Sequence, residues 1–87
     1  MITLTLTKLP THLQYEFITP LLKQEDAIIL TSSSISLAYL NSPFQSQAFV
    51  RESDLTMSGG IAHQSWQVIS DEQWCKLLLN ATKNVNW

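Results

Sequence analysis

The chain has 87 residues, a net charge of −2 and only 14% charged residues. That length makes one domain, 1–87, whose folding buries only roughly 60% of the unfolded surface, so there is no room for a second core. No run of lysine or arginine is present, which excludes direct nucleic-acid binding, since a basic patch on the phosphates supplies most non-specific affinity.

Sparse charge together with three tryptophans predicts surface that a partner covers. The single cysteine cannot form an internal disulfide, which fits a reducing compartment. The N-terminus has neither a basic region nor a continuous apolar run, so a cytoplasmic protein without a signal peptide is expected.

Ile2 to Thr7 alternates aliphatic residues with threonine, as in a half-buried strand. Lys8-Leu9-Pro10 ends it. Thr11 and Gln14 have capping-box spacing and predict a helix whose apolar face is Leu13, Phe17, Ile18, Leu21 and Leu22. Pro20 lacks a donor and clashes with the preceding turn, so a break is expected near Thr19, with a last turn reaching Lys23 or Gln24.

Asp26 to Thr31 encloses the unbroken apolar run Ala27-Ile28-Ile29-Leu30, the pattern of a strand buried on both faces. Ser32 to Ser34 can cap a following helix with Ile35, Leu37, Ala38 and Leu40 on its apolar side. Asn41-Ser42-Pro43 ends it. Gln47 to Arg51 reads as a third strand, Asp54 to Met57 as one helical turn stopped by Gly59-Gly60, and Trp66 to Ile69 as a fourth strand. Ser70 and Gln73 form a second capping box, with Asp71 and Glu72 at the positive end of the helix dipole and a stripe of Trp74, Leu77, Leu78 and Ala81. Val85-Asn86-Trp87 reads as a short fifth strand at an edge. Strand and helix alternate throughout, so the expected fold class is α/β, a three-layer α/β/α sandwich around a mainly parallel sheet of four to five strands.

Few residues suggest chemistry. Cys75, the only thiol, lies in the second turn of the last helix beside Lys76 and could be a sulfur carrier or nucleophile. Its place next to Trp74, close to the apolar stripe, favours a small core residue instead. His12 and His63 have no ligand partners at metal spacing, and no zinc-type cluster is present, so no metal is expected. Ser32-Ser33-Ser34 opens a helix but has no glycine to close on a phosphate and matches no nucleotide fingerprint, so it reads as a cap and turn, and no cofactor is expected. Glu52, Asp54, Asp71 and Glu72 read as caps and solvated charge.

Several segments in order carry a family resemblance. They are Thr5-Leu6 with Lys8 and Pro10, Glu25-Asp26 before Ile28-Ile29-Leu30, Val50 to Gly59 with Glu52, Asp54-Leu55 and Gly59, and Trp74 to Trp87. Together they resemble the DsrH/TusB family, the B-type subunits of bacterial sulfur-relay complexes with a DsrEFH-like fold. The chain departs from the family pattern at Ser58, where arginine is common, and in the loop after the second strand, which lacks Asp-Gly. Near Thr19 there is no cysteine, and Cys75 stands where relatives carry an aliphatic residue.

The resemblance implies a non-catalytic, accessory subunit of a hetero-oligomer with related C- and D-type, or F- and E-type, subunits. The persulfide would ride on a partner's cysteine, and the sulfur would end in 2-thiouridine at the tRNA wobble position. A cysteine near Thr19 goes with the sulfur-oxidation branch, so its lack favours tRNA thiolation. The alternatives are a DsrH-like subunit in dissimilatory sulfur oxidation, a persulfide carrier using Cys75, and a stand-alone homo-oligomer. Interface candidates are the aromatics hardest to hide in so small a core, Tyr39, Phe44, Trp66 and Trp87.

Overall fold

The computed structural model describes residues 1–87. Five strands form one parallel sheet: β1 (Ile2–Leu6), β2 (Ala27–Leu30), β3 (Gln47–Arg51), β4 (Gln67–Ile69) and β5 (Lys83–Asn86). Their spatial order is β4-β3-β2-β1-β5, so the chain steps across the sheet and then returns to lie beside its own first strand. In register, Thr3 pairs with Ala27 on one side of β1 and with Asn84 on the other. Three α-helices complete the chain: α1 (His12–Ile18), α2 (Glu52–Ser58) and α3 (Asp71–Asn80). Two 3-10 helices, Thr19–Leu21 and Ser32–Tyr39, join them.

The α/β sandwich expected from the alternation is what forms. β2 lies at the centre, and its four residues are fully buried. Each isoleucine there contributes about 1.5–3 kcal/mol by leaving water. On one face, Leu4, Leu6, Ile28, Leu30 and Val50 meet Ile18 and Leu22, the 3-10 helix residues Ile35 and Ala38, and Leu55. On the other face, Ala27, Ile29, Phe49 and Ile69 meet the half-buried Trp74, Leu77 and Leu78 of α3. The half-buried reading of Ile2 to Thr7 is corrected by this second layer. Thr3 and Thr5 are buried as well, and the Thr3 hydroxyl donates to Asn84 Oδ1 across to β5.

Both capping boxes form as the spacing requires. Thr11 Oγ1 accepts from the Gln14 amide at 3.2 Å while Gln14 Oε1 accepts from the Thr11 amide, and Ser70 with Gln73 repeats the pattern. Pro20 ends the α-helix at Ile18, but only one 3-10 turn follows, stopping at Leu21. The helix expected from Ile35 to Leu40 is instead a 3-10 helix that begins at Ser32. Its tightness has a local cause. Buried Ser34 receives the Thr31 amide on its Oγ at 3.0 Å and donates its hydroxyl to the Leu6 carbonyl at 2.7 Å, pinning the segment to β1. Ser34 is therefore a buried peg rather than part of a solvated turn. Leu40, expected inside, is exposed. α2 runs over seven residues rather than one turn, and Gly59 ends it with φ 76°, the left-handed conformation glycine adopts without strain.

Asp26 is the one buried carboxylate. It accepts the Ile2 and Lys23 amides, each at 2.9 Å, and so joins the start of β1 to the turn before β2. The Lys23 amide bond, helped by the Ile2 amide and nearby positive charge, outweighs desolvation and holds its carboxyl below the ordinary range. No helix is long and apolar enough to cross a membrane.

Candidate interaction surface

α1 divides its apolar residues between two destinations. Ile18 is buried against the sheet, and so is Leu22 just past the 3-10 turn. Leu13 and Phe17 of α1 and Leu21 of the 3-10 turn follow at intervals of four residues and remain largely in solvent, at 76%, 59% and 56% exposure. The expectation of a single buried face is thus corrected: five apolar residues at this spacing span more arc than one sheet contact can cover. The exposed three forgo the roughly 1.5–3 kcal/mol that burial gives a large side chain.

Trp87 extends this stripe. Its amide donates to the Thr5 carbonyl at 2.8 Å, and its carbonyl accepts from the Thr7 amide at 3.1 Å. These bonds hold the residue beside β1 in continuation of β5, and its ring lies 6.0 Å from that of Phe17. Below it, between α1 and β5, runs a groove of about 230 Å³. The buried Leu4, Ile18 and Leu22 and the half-buried Val85 line it together with the more exposed Ile2, Leu21, Trp87 and Lys83. β5 is an edge strand, so the groove lies beside backbone groups with no strand on their outer side.

The other interface candidates have different fates. Phe44 and Trp66 are core residues, a correction to the expectation that the domain could not hide them. The segment before β3 folds inward, placing Phe44 between the stacked ring of Tyr15 at 5.4 Å and the edge-on ring of Trp66 at 6.4 Å. Trp66 also satisfies its indole by donating to the Leu40 carbonyl at 2.9 Å. Tyr39 stays exposed, but its ring occupies the space a Gly60 side chain would need and its hydroxyl donates to Ser58 Oγ at 2.7 Å, so it secures α2. Of the four, Trp87 alone joins the exposed stripe.

Cys75 is exposed, which corrects its expected core role. The stripe on α3 passes through Trp74, Leu77 and Leu78 and turns the residue after Trp74 outward. Arg51 lies nearby, its guanidinium 4.8 Å above the Trp74 ring and its Nε 2.7 Å from Asp71. That hydrogen bond holds the Asp71 carboxyl below the ordinary range. His12 is exposed in the first turn of α1, with Nε2 3.1 Å from Glu16, and His63 bonds Ser65 in the loop before β4. No group of three or more histidine, cysteine or acidic side chains is placed to hold a metal. The largest cleft, about 640 Å³ between α1 and the segment around Pro43, is open; in its lining His12 faces Glu16 at 3.1 Å and the Thr19 hydroxyl donates to the Tyr15 carbonyl at 2.7 Å.

A scan against protein-family models finds no match, and a search of curated proteins finds none.

Proposed function

We propose that this chain is an accessory, non-catalytic subunit of a cytoplasmic hetero-oligomeric sulfur-relay complex, serving 2-thiolation of the tRNA wobble uridine. The observation that carries the docking role is the exposed row of Leu13, Phe17 and Leu21, continued by Trp87 beside an open sheet edge. Aromatic and aliphatic side chains grouped in this way mark interaction surfaces on small domains. The sulfur-relay assignment rests on the ordered resemblance to the DsrH/TusB family, and the parallel α/β sandwich agrees with the fold that resemblance implies. Affinity purification of the tagged chain from its native cells tests it. Two small α/β partners, one bearing a persulfidated cysteine, support the reading, and loss of 2-thiouridine on deletion supports the tRNA branch. Deletion that disturbs sulfur oxidation instead selects the other branch. A chain that elutes alone or only with itself removes the relay role.

The exposure of Cys75 favours a second reading, in which this thiol carries sulfur itself. Mass spectrometry of the native chain discriminates the two. A gain of one sulfur atom at Cys75, with loss of thiolation in Cys75→Ser, establishes the carrier role.

A further inference from the structure

The α1–β5 groove has a charge setting that specifies the chemistry of what docks there. Lys83 is the one charged residue lining it, and Lys8 lines a neighbouring hollow with Leu9 and Gln14 that shares Trp87 with the groove. Neither lysine has an ion-pair partner, whereas Arg51 pairs with Asp54 and Asp71, and Lys76 with Glu72. Glu16, the carboxylate on α1, faces His12. Four of the seven acidic residues, Glu52, Asp54, Asp71 and Glu72, lie in the first turns of α2 and α3, after β3 and β4. β4 and β5 are opposite edges of the sheet, about 19 Å apart at the usual strand spacing. An acidic chain therefore carries an apolar groove with one unpaired lysine in its lining and a second in the hollow beside it.

The groove is also small. At about 230 Å³ it falls below the roughly 300–1,000 Å³ of small-molecule sites and suits one large side chain. We infer that the α1–β5 face docks a different protein through one large apolar side chain, set among aspartates or glutamates that meet Lys8 and Lys83. A second copy presenting the same face would set a lysine-bearing surface against another of the same sign, and like charge on both sides opposes a two-fold contact. This inference rests on the reading of the chain as a docking subunit and adds the chemistry of the partner.

The test is an NMR titration of the labelled chain with three synthetic amphipathic peptides. The first carries one tryptophan among glutamates. The second replaces the glutamates with lysines, and the third replaces the tryptophan with alanine. The first peptide is expected to shift the amides of Leu21, Lys83 and Val85 and to bind at least about tenfold more tightly than either control. Its affinity should fall with added salt and drop by a similar factor on the double variant Lys8→Glu, Lys83→Glu. Both side chains are exposed, so an unchanged spectrum outside the groove verifies the fold of that variant, and Lys8→Gln, Lys83→Gln supplies a milder version. Equal binding of the lysine peptide, shifts confined to another surface, or no binding overturns the inference. So do groove shifts that track the chain's own concentration, which would make a second copy the occupant. If the acidic peptide seats in the groove but no sulfur carrier co-purifies with the chain, the relay assignment alone fails. If the carrier co-purifies and the groove ignores the peptide, this inference alone fails.

Discussion

Phe17 and Trp87 meet at the surface with ring centroids 6.0 Å apart and planes inclined by 36°, one from the first helix and the other from the position just after β5. Each leaves much of its ring in water, and together they join the α1 stripe to the sheet edge. Trp87→Ala keeps both backbone bonds that hold this residue to β1. It should cost only about 1 kcal/mol of stability by denaturant unfolding. Assembly with the partner should weaken by about 2 kcal/mol or more, the loss expected when an interface anchor is truncated, as read by titration calorimetry.

Leu13→Glu sharpens the same contrast. The side chain is largely exposed, so stability should change by no more than about 0.5 kcal/mol. A charge placed in the stripe should nonetheless abolish co-purification of the partner. Retained co-purification would show that this face is not the docking surface.

Phe44→Ala and Trp66→Ala should behave in the opposite way. Both residues are buried within one aromatic cluster, and truncation should cost about 3–5 kcal/mol in chemical denaturation. Any folded fraction should still bind the partner with unchanged affinity.

Asp26 gives the fold an acid-sensitive joint. Its carboxyl is held below the ordinary value near 3.8, so between the two values the unfolded chain binds more protons than the folded one. The resulting stability is fully present above the ordinary value and is lost as pH falls through the folded one. Asp26→Ala should cost about 1.5–3 kcal/mol at neutral pH, the worth of hydrogen bonds to a charged acceptor. The difference between wild type and variant should shrink on acidification. A difference that does not vary with pH would falsify this role.

Cys75 should react with iodoacetamide in the native protein without a lag, because its side chain is exposed. Cys75→Ala should shift stability by no more than about 0.5 kcal/mol, which thermal unfolding can measure.

The elements most legible in the sequence were those specified by neighbours in the chain. Thr11 with Gln14 and Ser70 with Gln73 satisfy orphan amides within one turn, so spacing alone identifies them. The run from Ala27 to Leu30 announced a central strand in the same way, because only burial on both faces accommodates an unbroken apolar stretch. What escaped was set by distant packing. Whether Leu13 or Ile18 faces the sheet depends on where β1 and β2 lie beneath the helix, and a wide apolar arc is compatible with either. Phe44 and Trp66 are hidden by one another and by Tyr15, residues far apart in sequence. Of the surface around the groove, Trp87 was legible as an aromatic too large for so small a core, and it is indeed partly exposed; Lys83 comes beside it only through the pairing of β5 with β1, which no local pattern announces.

The strand order also sets the sequence of events in folding. Of the five strands β1 is made first, but one of its two neighbours is β5, the last of the five. During synthesis, β1 therefore keeps an unpaired edge until residues 83–86 leave the ribosome, even while β2, β3 and β4 are able to assemble on its other side. An open edge of this kind recruits foreign strands. Arrival of β5 both closes that edge and carries Trp87 to Phe17, so the groove between α1 and β5 is complete only when the sheet is.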